Sequence, residues 1–111
     1  MLAVTDLCGM RSGRDADKFK LCGFTADAAS KVSAPLIKEC PVNIECKVVS
    51  THRLGTHDMF IGEVLAVHVD DSIKGRDGKI DYAKAKPFVY NQGDYWDLDK
   101  KIGFYGCSAR K

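Results

Sequence analysis

The sequence predicts a mainly β fold built from antiparallel hairpins, with one short helix near the N-terminus. The first observation is a pair of apolar-rich segments, Val42–Thr51 and Asp58–Asp70, whose side chains alternate with a period of two. The second is a pair of short aromatic segments, Phe88–Tyr90 and Tyr95–Leu98, that flank a turn-forming stretch. The third is the length of 111 residues, which allows one domain at most.

The N-terminal part of the chain carries the helix signal. Met1–Met10 fits either a helix end or an extended arm. A short helix is predicted from about Gly13 to Cys22, because Ser12 is a favoured N-cap and Asp15 completes a capping box. Gly23 follows at the position where a left-handed residue ends many helices.

The long hairpin comes next. Lys31–Ile37 could hold a short strand before it, at a sheet edge, since Pro35 is tolerated only there. The connection between the two long strands contains Gly55, as hairpin connections often do. The second strand carries apolar side chains on both faces, which is typical of a central strand that is covered on both sides.

The alternation stops after Asp70. Asp71–Lys74 and Ile80–Lys86 each suggest a helical turn, and the second turn is expected to end before Pro87. The two aromatic segments then form strands, and the glycine-rich and aromatic tail Ile102–Gly106 is expected to be a loop.

Composition argues against several kinds of partner. The net charge of +2 comes from basic and acidic residues spread along the chain, so neither a nucleic-acid-binding arm nor a membrane patch is expected. The first residues have no basic start and no long apolar run, so no signal peptide is expected, and no stretch approaches the roughly 18 apolar residues of a membrane-spanning helix. The five cysteines are irregularly spaced, which favours free thiols in a reducing, cytoplasmic setting.

Known motifs for metals, nucleotides and covalent catalysis are missing. The only candidate metal set has the order C-x5-C-x5-H-x4-H, and its cysteines are too far apart for a zinc knuckle, so no metal site is expected. That set is Cys40, Cys46, His52 and His57. No dinucleotide-binding glycine motif, Walker loop or nucleophile elbow occurs, so no catalytic residue is assigned.

The predicted helix start is the strongest candidate site. A helix N-terminus attracts phosphate, and Ser12 would add a hydroxyl group there. Arg14 and Lys18 are four residues apart, on one face of the predicted helix, so Lys18 can reach back toward the same anion. The alternative is a capped surface helix whose two cations are only solvated.

The hairpin and the aromatic segments supply weaker candidates. His57 opens the second long strand and could donate to a ligand, pair with Asp58 or face water. Tyr90 and Tyr95 belong to an aromatic group that could stack on a flat ligand or pack in a core or subunit interface.

Two further polar residues of the hairpin have an ordinary explanation. Glu45 interrupts an apolar strand, and a salt bridge with Lys47 or an exposed position explains it more simply than catalysis, since a buried unpaired carboxylate is costly. His68, near the end of the second strand, is expected to be exposed.

Several runs resemble one known family. Cys8–Phe19 resembles the C-G-x-x-S-G-x-x-x-D-K-F segment of the flavin reductase-like, FMN-binding split-barrel family. Glu39–Cys46 and Gly55–Val64 are similar to that family's hairpin, and Pro87–Tyr90 and Gly93–Trp96 continue the match. The resemblance covers nearly all of residues 1–111 as a single domain, and flavoredoxin-like members are the nearest group.

The resemblance implies an antiparallel split β-barrel, a homodimer and bound FMN that is reduced by NADH, by NADPH or by a redox protein partner. Ser12 and Lys18 match positions on the phosphate side, with Arg14 nearby. His57 matches the histidine of the family's G-x-H segment, close to the flavin and nicotinamide region. Tyr90 and Tyr95 are expected to approach the flavin or the second subunit.

The match begins partway through the family pattern, so the sequence predicts a partial barrel whose N-terminal strands are missing. The expected function is an FMN-binding oxidoreductase of flavin reductase type. Two alternatives are an FMN electron-transfer protein that does not oxidise NAD(P)H, and an incomplete domain that binds no flavin alone. The free edges and faces of the hairpin are expected to be covered by a second copy, failing which the isolated chain would behave poorly.

Overall fold

A computed structural model describes residues 1–109 as three short helices and three antiparallel strand pairs. The helices are α1 (Leu2–Met10), α2 (Lys18–Cys22) and α3 (Tyr82–Ala85). The strands are β1 (Ala26–Asp27), β2 (Leu36–Ile37), β3 (Val42–Arg53), β4 (Asp58–Val69), β5 (Phe88–Asn91) and β6 (Asp94–Asp97). Two single 3₁₀ turns lie at Asp71–Ile73 and Cys107–Ala109.

The β3–β4 hairpin confirms the prediction from the alternating pattern. Its strands have 12 residues each, which corresponds to a ribbon about 35 Å long. Leu54 N donates to His57 O across the turn at 3.0 Å, and Gly55 has the positive φ of 95° that the turn requires. The register shifts between Glu45 and Cys46 and again between Val48 and Ser50, so the ribbon carries two irregularities.

Most of this hairpin is open on both faces, contrary to the expectation of a covered central strand. Phe60 is 62% exposed and Val64 57% exposed. Among the described residues, Ile73 and Glu45 are the buried ones. The radius of gyration is 17.0 Å, whereas about 13 Å is typical of a compact domain of this length. The described residues therefore do not bury the apolar surface of their own hairpin.

The described residues contain antiparallel strands, as expected for a split barrel, but these strands do not form a barrel. The three strand pairs form separate two-stranded sheets, ordered β1–β2, β3–β4 and β5–β6, so the barrel is not closed. The predicted edge strand Lys31–Ile37 is shorter than expected, because only Leu36–Ile37 is paired, with Ala26–Asp27.

The N-terminal region differs from the prediction in two respects, because it contains two helices where one was expected and because the second starts later. Met1–Met10 contains the helix α1, so this segment is helical and not an extended arm. The predicted helix Gly13–Cys22 is wrong at its start, because α2 begins at Lys18 and its N-cap is Asp17, not Ser12. The predicted end is confirmed, since Gly23 has a left-handed φ of 67°.

The C-terminal elements follow the predicted pattern. The two helical turns form at Asp71–Ile73 and Tyr82–Ala85, each capped by the aspartate that precedes it. The β5–β6 hairpin closes through Gln92 and Gly93, with φ values of 51° and 88°. Both values are positive, as the common two-residue hairpin turn requires. Among residues 1–109, no helix has the length and apolar content that crossing a bilayer demands.

Candidate functional site

The helix α1 anchors one of the predicted site residues directly. Lys18 is half-buried, and its Nζ donates to the carbonyl oxygen of Cys8 at 2.6 Å. Cys8 lies in the last turn of α1, where carbonyl groups lack partners within the helix and carry partial negative charge. The Lys18 ammonium therefore joins the start of α2 to the end of α1.

A second predicted residue is anchored to the same helix. Tyr95 Oη donates to Asp6 Oδ1 at 3.0 Å. Burial and this hydrogen bond to Asp6 raise the pKa of the Tyr95 phenol. Lys18 and Tyr95 are therefore both bonded to residues of α1, Lys18 to Cys8 and Tyr95 to Asp6.

Tyr95 also organises the aromatic side chains of the β5–β6 hairpin. Its ring packs edge-on against Phe88, with centroids 6.0 Å apart, and against Tyr90, with centroids 5.3 Å apart. This edge-to-face geometry is one of the two that aromatic pairs favour. Tyr90 is nonetheless 67% exposed, so one face of the aromatic group remains open.

Ser12 and Arg14 lie in the exposed turn between α1 and α2. Arg14 N donates to Ser12 Oγ at 3.2 Å, and Ser12 O accepts from the backbone N–H groups of Asp15 and Ala16. Because α2 begins only at Lys18, Arg14 and Lys18 do not share a helix face, and the argument from a helix N-terminus is wrong. A phosphate-binding role of these residues stays a prediction.

His57 lies at the turn end of the β3–β4 hairpin, and none of the other five predicted site residues belongs to that hairpin. It is exposed in the β3–β4 turn, and its Nδ1 lies 3.0 Å from Thr56 Oγ1. The hairpin base, where Val42 pairs with Val69, is about 35 Å away along the ribbon.

The structure reveals a buried carboxylate that the sequence interpretation placed at the surface. Glu45 is 2% exposed and accepts hydrogen bonds from four groups of the preceding loop. These are the backbone N–H and Oγ of Ser30, at 3.0 and 2.8 Å, and the N–H groups of Lys31 and Val32, at 2.6 and 3.2 Å. His68 Nε2 on β4 completes the set with a hydrogen bond to Oε2.

These contacts correct two expectations about the hairpin. Glu45 forms no surface pair with Lys47, and His68 is only partly exposed, with 39% of its side chain accessible. Burial alone would raise the pKa of Glu45, but the hydrogen bonds from His68, Ser30 and Lys31 hold it well below its usual range. The one sequence signal was a carboxylate in an apolar strand, which must find partners if it is buried.

A cleft lies beside the aromatic group of the β5–β6 hairpin and contains one of the predicted residues, Tyr95. It has a volume of about 350 Å³ and is lined by Tyr95 together with Leu2, Phe88 and Trp96. A larger cleft of about 640 Å³ lies between the Asp77–Ala83 region and the tail near Lys100, and none of the six predicted site residues lines it. Within residues 1–109, no cluster of three or more His, Cys, Asp and Glu side chains could hold a metal ion.

Comparison with known proteins identifies the class. The family model of the flavin reductase like domain matches residues 1–99. The chain therefore belongs to the flavin reductase-like domain family, whose flavoredoxins and split-barrel flavin reductases are its structural neighbours. The resemblance seen in the Cys8–Phe19 and hairpin motifs is thereby confirmed.

Two solved flavoredoxins are similar over almost the whole chain. Flavoredoxin of Desulfovibrio vulgaris (Miyazaki F) gives a TM-score of 0.87 at 29% identity and covers 97% of this chain. Flavoredoxin from Methanosarcina acetivorans gives 0.83 at 33% identity and covers 99%. An uncharacterized protein of Archaeoglobus fulgidus is 41% identical over 73 residues, 66% of this chain.

The chain is shorter than these relatives. It spans 58% and 60% of the two flavoredoxin chains. It spans 40% of the Archaeoglobus fulgidus protein.

Proposed function

We propose that this chain is an FMN-binding oxidoreductase of flavin reductase type, whose flavin is reduced by NADH or NADPH. Family membership supports the class of cofactor. The observation that carries the proposal is the arrangement around α1, which holds Lys18 through Cys8 and Tyr95 through Asp6. The turn that contains Ser12 and Arg14 follows the C-terminal end of α1.

The proposed phosphate end consists of Ser12, Arg14 and Lys18. An ammonium group has three N–H donors, and one Lys18 donor is directed at Cys8 O, so two remain for a phosphate. The guanidinium of Arg14 is exposed and can bind phosphate oxygens in pairs. The Ser12 hydroxyl group adds a neutral donor in the same turn.

The proposed ring end lies at the aromatic group. Tyr90 and Tyr95 offer ring faces and edges beside an apolar cleft, which suits a flat heterocycle. We place His57 at the ring region of a second copy, because most of its hairpin is open on both faces and the proposed homodimer would cover them. When bound, FMN supplies hydride acceptance and electron transfer, while the side chains bind and orient it.

A comparison of FMN with riboflavin tests the phosphate end. Binding is measured by quenching of flavin fluorescence on titration with the full chain. We expect Arg14→Ala and Lys18→Ala to weaken FMN binding about tenfold, the size of a lost hydrogen bond to a charged group, and to leave riboflavin binding unchanged. Lys20→Ala is the matched control, since 87% of its side chain is exposed on the same helix.

Equal weakening of both flavins in the Arg14 and Lys18 variants would reject the assigned phosphate end. Circular dichroism of Lys18→Ala checks that α1 is retained, because this variant also loses the bond to Cys8. Arg14→Ala keeps the bond to Ser12 Oγ, which uses the backbone N–H of residue 14, and gives the cleaner result.

A second candidate function is FMN-dependent electron transfer without direct oxidation of NAD(P)H. The similarity to two flavoredoxins favours it. Anaerobic titration of the FMN-loaded chain with NADH and with NADPH separates the two functions. Bleaching of the flavin by either nucleotide supports the reductase, whereas reduction only by a reduced ferredoxin-like protein supports the carrier.

The open hairpin supports a third possibility, that this chain alone is an incomplete domain. Colourless protein with no affinity for added FMN, together with self-association through the apolar hairpin faces, would establish it. In each case the proposed setting is the reducing cytoplasm, in keeping with five free thiols.

A further inference from the structure

Two of the five cysteines meet where α1 packs against α2. Cys8 Sγ and Cys22 Sγ are 3.4 Å apart, although 14 residues separate them in the sequence. Both side chains are half-buried, whereas Cys46 and Cys107 are exposed. A disulfide bond is about 2.05 Å long, so the two sulfur atoms need to approach by only about 1.4 Å.

The surroundings of the pair distinguish its two members. The Cys22 thiol lies 3.9 Å from the carbonyl oxygen of Val4, toward which it donates. Burial and the hydrogen bond with Cys8 raise the pKa of the Cys22 thiol, while the charge of Lys18 acts in the opposite direction. Val4 O accepts from the Cys22 thiol and holds it in place, so Cys8 is the member assigned the first reaction with a small disulfide.

We propose that Cys8 and Cys22 form a dithiol–disulfide pair that exchanges with low-molecular-weight disulfides. The Cys8 thiolate attacks one sulfur of the small disulfide, which forms a mixed disulfide and releases one thiolate. Cys22 then loses its proton to solvent and attacks the Cys8 sulfur, which releases the second thiolate. Two protein thiols are oxidised and one small disulfide is reduced to two thiols, so no further oxidant is needed.

The bond would close a loop around the predicted phosphate end. Residues 8–22 include Ser12, Arg14 and Lys18, and they would be held between α1 and α2 by a covalent link in addition to the Lys18–Cys8 hydrogen bond. Reduction would free this loop. The oxidation state of the pair would thus set how rigidly the turn between the helices is held, whether or not a flavin binds there.

The full chain incubated with oxidised and reduced glutathione at graded ratios tests the pair. We expect the number of titratable thiols in the denatured protein to fall from five to three as oxidised glutathione increases. Peptide mass spectrometry should recover the Cys8 and Cys22 peptides linked and lighter by two hydrogens. The Cys46→Ser, Cys107→Ser double variant is the matched control and should lose two thiols in the same way.

The single variants test the order of events. Cys22→Ser should stop at a glutathione adduct on Cys8, and Cys8→Ser should form no internal disulfide. Linkage of any other cysteine pair, or retention of both thiols under conditions that load Cys22→Ser with glutathione, would overturn the proposal. Because no readout involves flavin, these outcomes are independent of the proposed function.

Discussion

The buried carboxylate of Glu45 makes the most specific prediction about how this fold is held together. Glu45→Gln keeps the size of the side chain but replaces one oxygen with an NH2 group, which donates and cannot accept. If nitrogen takes the place of Oε2, the bonds from Ser30 and His68 are lost. If it takes the place of Oε1, the bonds from Lys31 and Val32 are lost. Either orientation leaves donors of the loop without an acceptor.

The expected magnitude follows from these contacts. Each lost hydrogen bond to a charged acceptor corresponds to about a tenfold change in an opening equilibrium. Amide hydrogen exchange of the Ser30–Val32 segment should therefore accelerate about tenfold or more in Glu45→Gln, as measured by mass spectrometry at neutral pH. Glu63→Gln on β4 is the matched control, because Glu63 is exposed. The control should exchange at the wild-type rate over the same segment.

The pH dependence gives an independent check. The pKa of Glu45 is lower in the folded chain than in the unfolded chain, where it is about 4.3. Its contribution to stability is therefore fully present above the unfolded value and is lost as the pH falls through the folded value. Protection of Ser30–Val32 should persist to below pH 4 in the wild type. Two results would refute the reasoning. One is equal exchange of the Ser30–Val32 segment in Glu45→Gln and Glu63→Gln. The other is loss of the protection of this segment in the wild type already above pH 5.

Three further predictions concern α1, α2 and the hairpin. Asp6→Asn should lower the pKa of Tyr95, seen as earlier ionisation in an ultraviolet pH titration, because the neighbouring carboxylate helps to raise it. Asp17→Ala should cost about 1 kcal/mol in denaturant unfolding, the usual value of an N-cap, whereas Ser12→Ala should cost much less. Phe60→Glu should weaken self-association at least tenfold in sedimentation equilibrium, since an exposed apolar ring on β4 becomes charged.

Each of these three has an outcome that contradicts it. An unchanged pKa of Tyr95 in Asp6→Asn would contradict the contact between the Tyr95 phenol and Asp6 on α1. A larger loss of stability for Ser12→Ala than for Asp17→Ala would indicate that Ser12 is the N-cap, as the predicted helix Gly13–Cys22 requires. A wild-type chain that is monomeric throughout the accessible concentration range would remove the basis for the Phe60 prediction.

The sequence predicted best those elements whose signals are local. Alternation over β3 and β4 located both long strands to within two residues of their observed ends. The backbone freedom of Gly55 and Gly93 marked the two hairpin turns, and Gly23 marked the end of α2. These features depend on neighbours in the chain and on conformations that glycine adopts without strain. The family resemblance was also carried by short motifs.

The start of α2 was not decided by local signals. Ser12 and Asp17 are both favoured N-cap residues, and the sequence offers no reason to prefer the second. In the folded chain Lys18 must reach Cys8 at the end of α1, which leaves residues 12–16 as the turn between the helices. This contact joins residues ten positions apart, and a local capping motif carries no information about it.

The sequence by itself determined the mainly β character, the long hairpin, its turns and the family, because each depends on local periodicity or on a short motif. Only the tertiary structure decided the burial of Glu45, the anchoring of Tyr95 to Asp6 and the meeting of Cys8 with Cys22. Those three contacts join residues 13 to 89 positions apart. A buried polar group takes whichever partner the packed chain brings within reach, and periodicity carries no information about that partner.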